Sequence, residues 1–180
     1  MKSFAVLTAS GADRVGIVDD VSSALLEAGC NIEESKMSVL GGEFALIVLV
    51  SAPEAGIAAL LDRVDELGER VGLELSARRT GPHAANPKGR PYRIECVSLD
   101  TPGIVHSVTG LLRRRGVNID ELETETTGAP FTGAPMFHMR ITAIVPGDVS
   151  ASDLRDELAH VASTQDLDIS VRPIVAGAEE

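Results

Sequence analysis

The sequence predicts an α+β protein made of two repeated units, each a four-stranded antiparallel sheet with two helices on one face. Two observations lead to this prediction. A stretch of 25 residues recurs at a constant offset of 87 positions, and the same order of strand-like and helix-like patterns surrounds both copies.

The internal repeat is the strongest organising signal in the chain. Residues 13–37 and 100–124 are identical at ten of 25 positions. Between the copies, residues 81–91 contain three prolines and two glycines, a composition typical of a semi-rigid linker. We therefore expect one domain at residues 1–80, a linker at 81–91, a second domain at 92–176 and a tail at 177–180.

Composition excludes several classes of protein. The 180 residues carry a net charge of −11 and are 44% hydrophobic, which is enough for packed cores and argues against a disordered acidic protein. Aromatic residues make up only 3%, and without a basic surplus we expect no direct binding to DNA or RNA. The two cysteines predict neither a disulfide framework nor a zinc site. Because no signal peptide or membrane span is evident, we expect a cytoplasmic protein without membrane contact.

In the first unit, residues 4–8 are expected to form a strand, followed by an amphipathic helix that ends before Gly29. Strands at 31–40 and 43–51 are joined by a Gly-Gly dipeptide, which suits a two-residue hairpin. One helix is expected to run through positions 57–71, and a strand at 73–77 closes the unit. Because residues 44–50 are apolar on both alternating sets, we expect cover on both faces of that strand, from the other unit or from a second copy of the chain.

The second unit repeats this order. We expect strands at 92–98, 117–126, 136–145 and 167–174, with helices at 102–115 and 152–164. The order βαββαβ is that of the ferredoxin-like fold.

The most distinctive local feature is the turn between the first strand and first helix of each unit. In the second unit, Thr101 is predicted as the N-cap and Pro102 as the first helical residue, with Gly103 beside it. Free backbone N–H groups and the positive end of the helix dipole would converge there, which suits the carboxylate of a small ligand. The first unit keeps the aspartate and glycine of this turn but has Val15 in place of proline.

Two asparagines are further candidates. Asn31 and Asn118 begin the second strand of each unit, and we expect them at the same end of the domain as the turn, where their amides could meet an amino acid. A purely structural interpretation is also open. Asp13 and Thr101 could only cap helices, and the glycines and asparagines could only shape turns. Duplication copies structural turns as well as binding sites, so recurrence does not decide between the two.

No pattern in the sequence predicts catalysis, a metal site or a cofactor. The four histidines lack metal-ligand spacing. The sequence also contains no nucleophile–base arrangement, phosphate-binding loop or dinucleotide fingerprint. We therefore do not expect an enzyme.

The turns and strand entries resemble the ACT domain, a ferredoxin-like module that senses small molecules in amino-acid metabolism. The resemblance rests on residues 7–18 and 29–33 of the first unit and on residues 100–105 and 116–119 of the second. It implies a ligand between neighbouring domains, near the first loop of one and the second-strand entry of the other. The residues to which it points are Asp13, Arg14, Val15, Gly16, Ile17, Asn31, Asp100, Thr101, Pro102, Gly103, Ile104 and Asn118.

The tandem arrangement, the Gly-Gly-Glu-Phe stretch at 41–44 and the loop at 127–135 are similar to the family of glycine cleavage system transcriptional repressors. This resemblance implies an antiactivator that senses an amino acid, with glycine favoured. Such a protein contacts a transcription activator and does not bind DNA itself. A homodimer is compatible with it. The alternative is a stand-alone regulatory subunit that controls an enzyme of amino-acid or folate metabolism.

Overall fold

A computed structural model describes residues 2–82, 88–130 and 132–174. Positions 83–87 of the expected linker and the expected tail at 177–180 lie outside the described residues. Within the described ranges the elements are, in chain order, β1 (Lys2–Ala12), α1 (Ile17–Glu27), β2 (Asn31–Leu40), β3 (Glu43–Pro53), α2 (Glu54–Asp62), α3 (Val64–Val71), β4 (Glu74–Thr80), β5 (Arg90–Leu99), α4 (Ile104–Arg114), β6 (Asn118–Gly128), β7 (Pro135–Val145), α5 (Ala151–Gln165) and β8 (Asp168–Pro173).

Each repeat forms its own antiparallel sheet. The strand orders are β2-β3-β1-β4 and β6-β7-β5-β8, which is the ferredoxin-like arrangement predicted from the element order. The chain divides into two compact units, residues 1–85 and 86–180. Because β5 begins at Arg90, the last two residues of the expected linker belong to the second sheet.

Helices cover one face of each sheet and bury two separate cores. Alternate residues of the central strands point inward, and helix positions three or four apart meet them. In the first repeat the fully buried side chains include Leu7, Leu25, Phe44, Ile57 and Leu60. In the second repeat they include Ile94, Leu112, Ile141, Leu154 and Leu158.

The expectation of one helix over 57–71 is wrong, because the helix is broken at Arg63. This residue has φ −115° and ψ 12°, which ends α2 and begins α3. The break accompanies a close approach of α3 to β4, where a Cβ on Gly68 would lie 2.7 Å from the Leu73 carbonyl oxygen. No proline marks position 63, so the apolar spacing alone could not reveal the break.

The first unit by itself covers residues 44–50 on one face only, and cover of the other face by a second copy of the chain stays a prediction. Val48 and Val50 are buried beneath the helices, but Ile47, which belongs to the other alternating set, is 48% exposed. The outward face of the first sheet therefore carries apolar side chains that the helices of its own unit do not cover.

Candidate ligand-binding turns

Both repeats start their first helix at a glycine in the left-handed conformation. Gly16 has φ 88° and Gly103 has φ 100°, and each occupies the N-cap position. Their carbonyls accept from the N–H groups of Asp20 and Ser107, both at 3.0 Å. A Cβ at either glycine would meet no atom within 4 Å, so glycine is required by the backbone conformation, which disfavours any side chain.

The predicted cap of the second turn is wrong, and the capping role that the sequence leaves open for Asp13 is not observed. Thr101 does not cap α4 and Pro102 does not begin it, because Gly103 is the N-cap and Ile104 is the first helical residue. Asp13 does not cap α1 either, since neither helix has a side-chain cap. Among the described residues, the first-turn N–H groups therefore keep no side-chain acceptor. This is the condition that an anionic ligand needs at a helix start.

A backbone hydrogen bond ties each turn to the hairpin beside it. The Asp13 N–H donates to the Gly42 carbonyl at 2.9 Å, and the Asp100 N–H donates to the Pro135 carbonyl at 3.0 Å. The connection between the hairpin strands is longer in the second repeat, but the Pro135 carbonyl at the start of β7 accepts from Asp100 as the Gly42 carbonyl accepts from Asp13. Phe131, which belongs to this connecting stretch of the sequence, lies outside the described residues.

The predicted isoleucines of both turns serve the cores. Ile17 is 3% exposed and Ile104 is 2% exposed, because each anchors the first turn of its helix beneath the sheet. Their backbone N–H groups remain part of the helix start, whereas their side chains cannot line a surface site. Val15 is fully exposed, and Pro102 is its exposed counterpart.

The first turns of the two helices differ in charge. Asp19 and Asp20 in α1 occupy the positions that His106 and Ser107 occupy in α4. Their two carboxylates lie at the positive end of the α1 dipole. The first turn of α4 contains no acidic residue. Because carboxylates already occupy the favourable field at α1, an anionic ligand is attracted more strongly to α4.

Arg14 in the first repeat is already engaged. Its guanidinium forms an ion pair with Asp20 at 2.6 Å and donates to the Val71 carbonyl at 2.8 Å. Both partners are half-exposed, so the ion pair contributes little stability, but the Arg14 guanidinium already has partners within the protein. Thr101 occupies the equivalent position of the second repeat and cannot form such an ion pair.

The expectation that the asparagines share an end of the domain with the turns is wrong. Asn31 lies opposite Ser51, and Ser51 lies opposite Phe4 at the beginning of β1. The turn follows Ala12 at the other end of the same strand. The separation is about eight residues of extended chain, or roughly 26 Å.

The second repeat has the same arrangement, since Asn118 and Pro91 both lie opposite Ile144. The physical reason is the direction of the first helix. A helix of 11 residues carries the chain back by about 16 Å, so the second strand enters where the first strand began. One repeat cannot offer its turn and its asparagine to the same small ligand.

The two asparagines also differ in their partners. The Asn31 amide donates to Glu33 Oε1 at 2.9 Å and to the Ile32 carbonyl at 3.2 Å. Glu33 also accepts from Ser51 Oγ at 2.5 Å and pairs with Lys2 at 2.8 Å. These hydrogen bonds, led by that from Lys2, lower the pKa of Glu33 to about 2. The Asn118 amide makes no hydrogen bond to any described residue.

Sequence reasoning missed a shallow depression of about 380 Å³ between α3 and β4. Its lining includes Gly68, Gly72 and Leu73, together with the carboxylates of Asp65, Glu69 and Glu74. The break at Arg63 places α3 against β4, and this break has no sequence signal. Three carboxylates make the depression unsuited to an anionic ligand.

The described residues offer neither a metal site nor an activated thiol. No three His, Cys, Asp or Glu side chains among them are arranged to hold a metal ion. Burial raises the pKa of both the Cys30 and Cys96 thiols, which disfavours the nucleophilic thiolate. No helix in the described part of the chain is both long and apolar enough to cross a membrane.

Comparison with known proteins assigns both repeats to one domain type. The ACT domain pattern matches residues 3–78 and again residues 92–162. The glycine cleavage system transcriptional repressor of Escherichia coli (strain K12) is 30% identical over 151 residues, covering 84% of this chain and 80% of the repressor. A UPF0237 protein of Methanopyrus kandleri is 40% identical over 73 residues, covering 39% of this chain and 81% of that protein.

Two solved structures span both repeats. A protein of unknown function from Galdieria sulphuraria superposes with a TM-score of 0.81 at 35% identity, covering 97% of this chain and 100% of that one. A structure described as a candidate glycine cleavage system transcriptional repressor superposes with a TM-score of 0.72 at 26% identity, covering 97% and 98% of the two chains.

Proposed function

This chain belongs to the ACT-domain family of the glycine cleavage system transcriptional repressor, and on that premise we propose that it senses glycine and acts as an antiactivator. In this proposal it contacts a transcription activator in the cytoplasm and does not touch DNA itself. The carrying observation is the 30% identity to the E. coli repressor over 84% of this chain, an extent that neither repeat alone could supply.

We propose the glycine turn of the second repeat as the main binding site for the amino acid. The ligand carboxylate accepts hydrogen bonds from the first-turn amides of α4, where the dipole favours an anion. Gly103 permits close approach because it has no side chain. The absence of acidic residues from the first helical turn of α4 supports the second repeat over the first, in which Asp19 and Asp20 lie in the first turn of α1.

We further propose that a second copy of the chain completes the site. The ligand ammonium needs an acceptor, and the asparagine of the same repeat lies about 26 Å from the turn. The asparagine must therefore come from another unit, and a homodimer supplies one. Asn118 suits this role because its side chain makes no hydrogen bond to any described residue and can turn its Oδ1 toward the ammonium. The Asn31 side chain is instead held in place by the two hydrogen bonds that its Nδ2 donates to Glu33 and to the Ile32 carbonyl.

Charge supports an action through protein contact. The net charge of −11 opposes association with the phosphate backbone, which needs lysine and arginine to neutralise it. Control of transcription by such a protein therefore requires a partner that binds DNA. Ligand binding can shift the affinity for that partner only as far as it prefers one of two states, which is commonly about 1–3 kcal/mol.

Isothermal titration of the full chain with glycine, then with serine and alanine, tests the sensing half. We expect saturable binding of glycine at one strong site per chain. Absence of heat with all three amino acids, under conditions in which the protein is folded by circular dichroism, contradicts amino-acid sensing.

Capture of partners on the immobilised chain tests the regulatory half. We expect a DNA-binding transcription activator, retained to a different extent with and without glycine. Recovery of an enzyme of amino-acid or folate metabolism instead would favour the regulatory-subunit alternative. A shift of glycine-cleavage promoter DNA by the chain alone would contradict the proposed absence of DNA contact.

A further inference from the structure

Two arginines lie directly opposite each other on the helix-free face of the second sheet. Arg93 of β5 is in register with Arg172 of β8. Its neighbours Tyr92 and Ile94 are buried beneath the helices, so Arg93 between them points to the opposite face. Both arginines are exposed, and neither side chain forms an ion pair or hydrogen bond with any described residue.

This pair is unexpected in so acidic a domain. Like charges directly opposite on neighbouring strands destabilise a sheet, and residues 92–180 contain 14 acidic side chains against seven arginines. Nearby carboxylates are engaged elsewhere. Glu95 lies within 3.8 Å of Arg140 and accepts from Ser170 Oγ at 3.5 Å.

The other arginines of the second repeat have an evident role. Arg115 pairs with Glu157, Arg140 pairs with Glu123 at 3.3 Å, and Arg155 donates to the Val171 carbonyl at 3.4 Å. The last turn of α4 contains two more, Arg113 and Arg114, where cations complement the dipole. Among the described residues from 92 onward, only Arg93 and Arg172 have no such role; Arg90, which begins β5, is also unpaired but has no arginine opposite it.

The first repeat lacks the pair at the same register. There Val6 of β1 lies opposite Arg78 of β4, and on its other side opposite Leu49 of β3. In the second repeat Arg93 takes the place of Val6, and Thr142 takes the place of Leu49. The fold therefore does not require a second arginine at this position.

We propose that Arg93 and Arg172, with the Thr142 hydroxyl beside them, form a docking site for the carboxylates of an acidic segment in a partner protein. Cβ atoms of directly opposite residues lie about 5 Å apart, so both guanidinium groups can reach one carboxylate or two neighbouring ones. Their planar donors suit bidentate pairing with carboxylates. The site uses no residue of the glycine turns, so the sensing proposal can fail without affecting it.

Binding of a fluorescein-labelled octaglutamate peptide to the full chain tests the site by fluorescence anisotropy. We expect saturable binding to the wild type that weakens with salt. Removal of both arginines in R93V/R172V should weaken it by about tenfold or more. The charge-preserving R93K/R172K should weaken it by about threefold, because lysine lacks the planar fork.

R113A/R114A is the matched control, since it removes two other exposed arginines from the same repeat. We expect it to bind the peptide like the wild type. Equal losses in this control and in R93V/R172V, or no peptide binding by the wild type, overturn the proposal. Displacement of the peptide by an equimolar amount of inorganic phosphate also overturns it, in favour of a phosphate site.

Thermal unfolding of R93V separates docking from a structural role. Valine is the residue of the first repeat at this register, and the change removes a like-charge contact. We expect the Tm to stay the same or rise. A fall of several degrees would show that Arg93 stabilises the sheet and would overturn the docking assignment.

Discussion

The two repeats share one backbone and differ in what their helix starts can bind. Gly16 and Gly103 adopt the same left-handed conformation, and each turn is tied to its hairpin by the same backbone hydrogen bond. In the first repeat, Asp19, Asp20 and Arg14 fill the surroundings of the helix start with charge. The second repeat leaves its helix start free of carboxylates. The two repeats therefore share the backbone conformation of the turn but differ in the charged side chains around the helix start.

The largest expected effect is a loss of stability from truncating a core leucine, and it shows whether the two repeats unfold separately. Leu25 and Leu112 hold equivalent positions and are 2% and 0% exposed. L25A and L112A should each lower the free energy of unfolding by about 2–5 kcal/mol, through lost burial and the cavity left behind. Hydrogen exchange should show lost protection in the mutated repeat only. Equal loss in both repeats would mean that they unfold as one unit.

Replacing the N-cap glycine of each repeat by alanine tests directly which of the two turns binds the ligand. G16A and G103A place a side chain at positive φ and should each cost about 1–2 kcal/mol of stability. Glycine affinity, measured by calorimetry, should fall by about tenfold in G103A, because the new methyl group occupies the approach to the helix-start amides. G16A serves as the strain-matched control and should bind normally. Loss of binding in G16A alone would assign the site to the first repeat.

Exchanging the first-turn residues of α1 and α4 tests whether the two aspartates of α1 weaken amino-acid binding. D19H/D20S gives α1 the residues of α4 and removes two carboxylates from the helix start. The affinity of the first repeat for an amino acid should rise by about threefold to tenfold, measured in the G103A background. The reciprocal H106D/S107D should weaken the second repeat by a similar factor. No change in either variant would mean that the acidic residues do not decide between the sites.

The smallest effect concerns the Glu33 network, which the second repeat lacks. The pKa of Glu33 is lowered to about 2 in the folded protein, from an ordinary value of 4.5. A lowered pKa stabilises the fold above the ordinary value, and this stabilisation is lost as the pH falls through the folded pKa. The Tm difference between wild type and E33Q should therefore be constant near neutral pH and shrink between about pH 4.5 and 2.

D120N is the matched control for E33Q, because Asp120 holds the equivalent position and has no partner among the described residues. Its Tm should differ little from that of the wild type across the same pH range. A pH-dependent gap as large in D120N as in E33Q would show that the Glu33 network contributes nothing specific.

Much of the architecture could be predicted from local patterns. Alternation identified the strands, helical spacing identified α1 and α4, and Gly41 and Gly42 marked the first hairpin. The break at Arg63 could not be predicted, because it depends on how closely α3 approaches β4. The caps were predicted from residue preference, but the left-handed φ of Gly103 begins the helix two residues later than expected.

The candidate site was predicted only as a set of residues. The sequence identified the turn glycines and the asparagines, but it placed them at one end of the domain. Strand register separates them, because Asn31 and Phe4 both align with Ser51. The network around Glu33 joins Lys2 to Ser51 across 49 positions of the chain, and no local pattern contains such a contact.

By itself, the sequence determined that a βαββαβ unit occurs twice, because hydrophobic period and repeated residues are properties of neighbouring positions. Only the tertiary structure decided that both helices begin at a left-handed glycine without a side-chain cap, which asparagine was engaged and which arginines faced each other. Those outcomes depend on strand register and on side-chain partners far apart in the chain, and register is set when the whole sheet assembles.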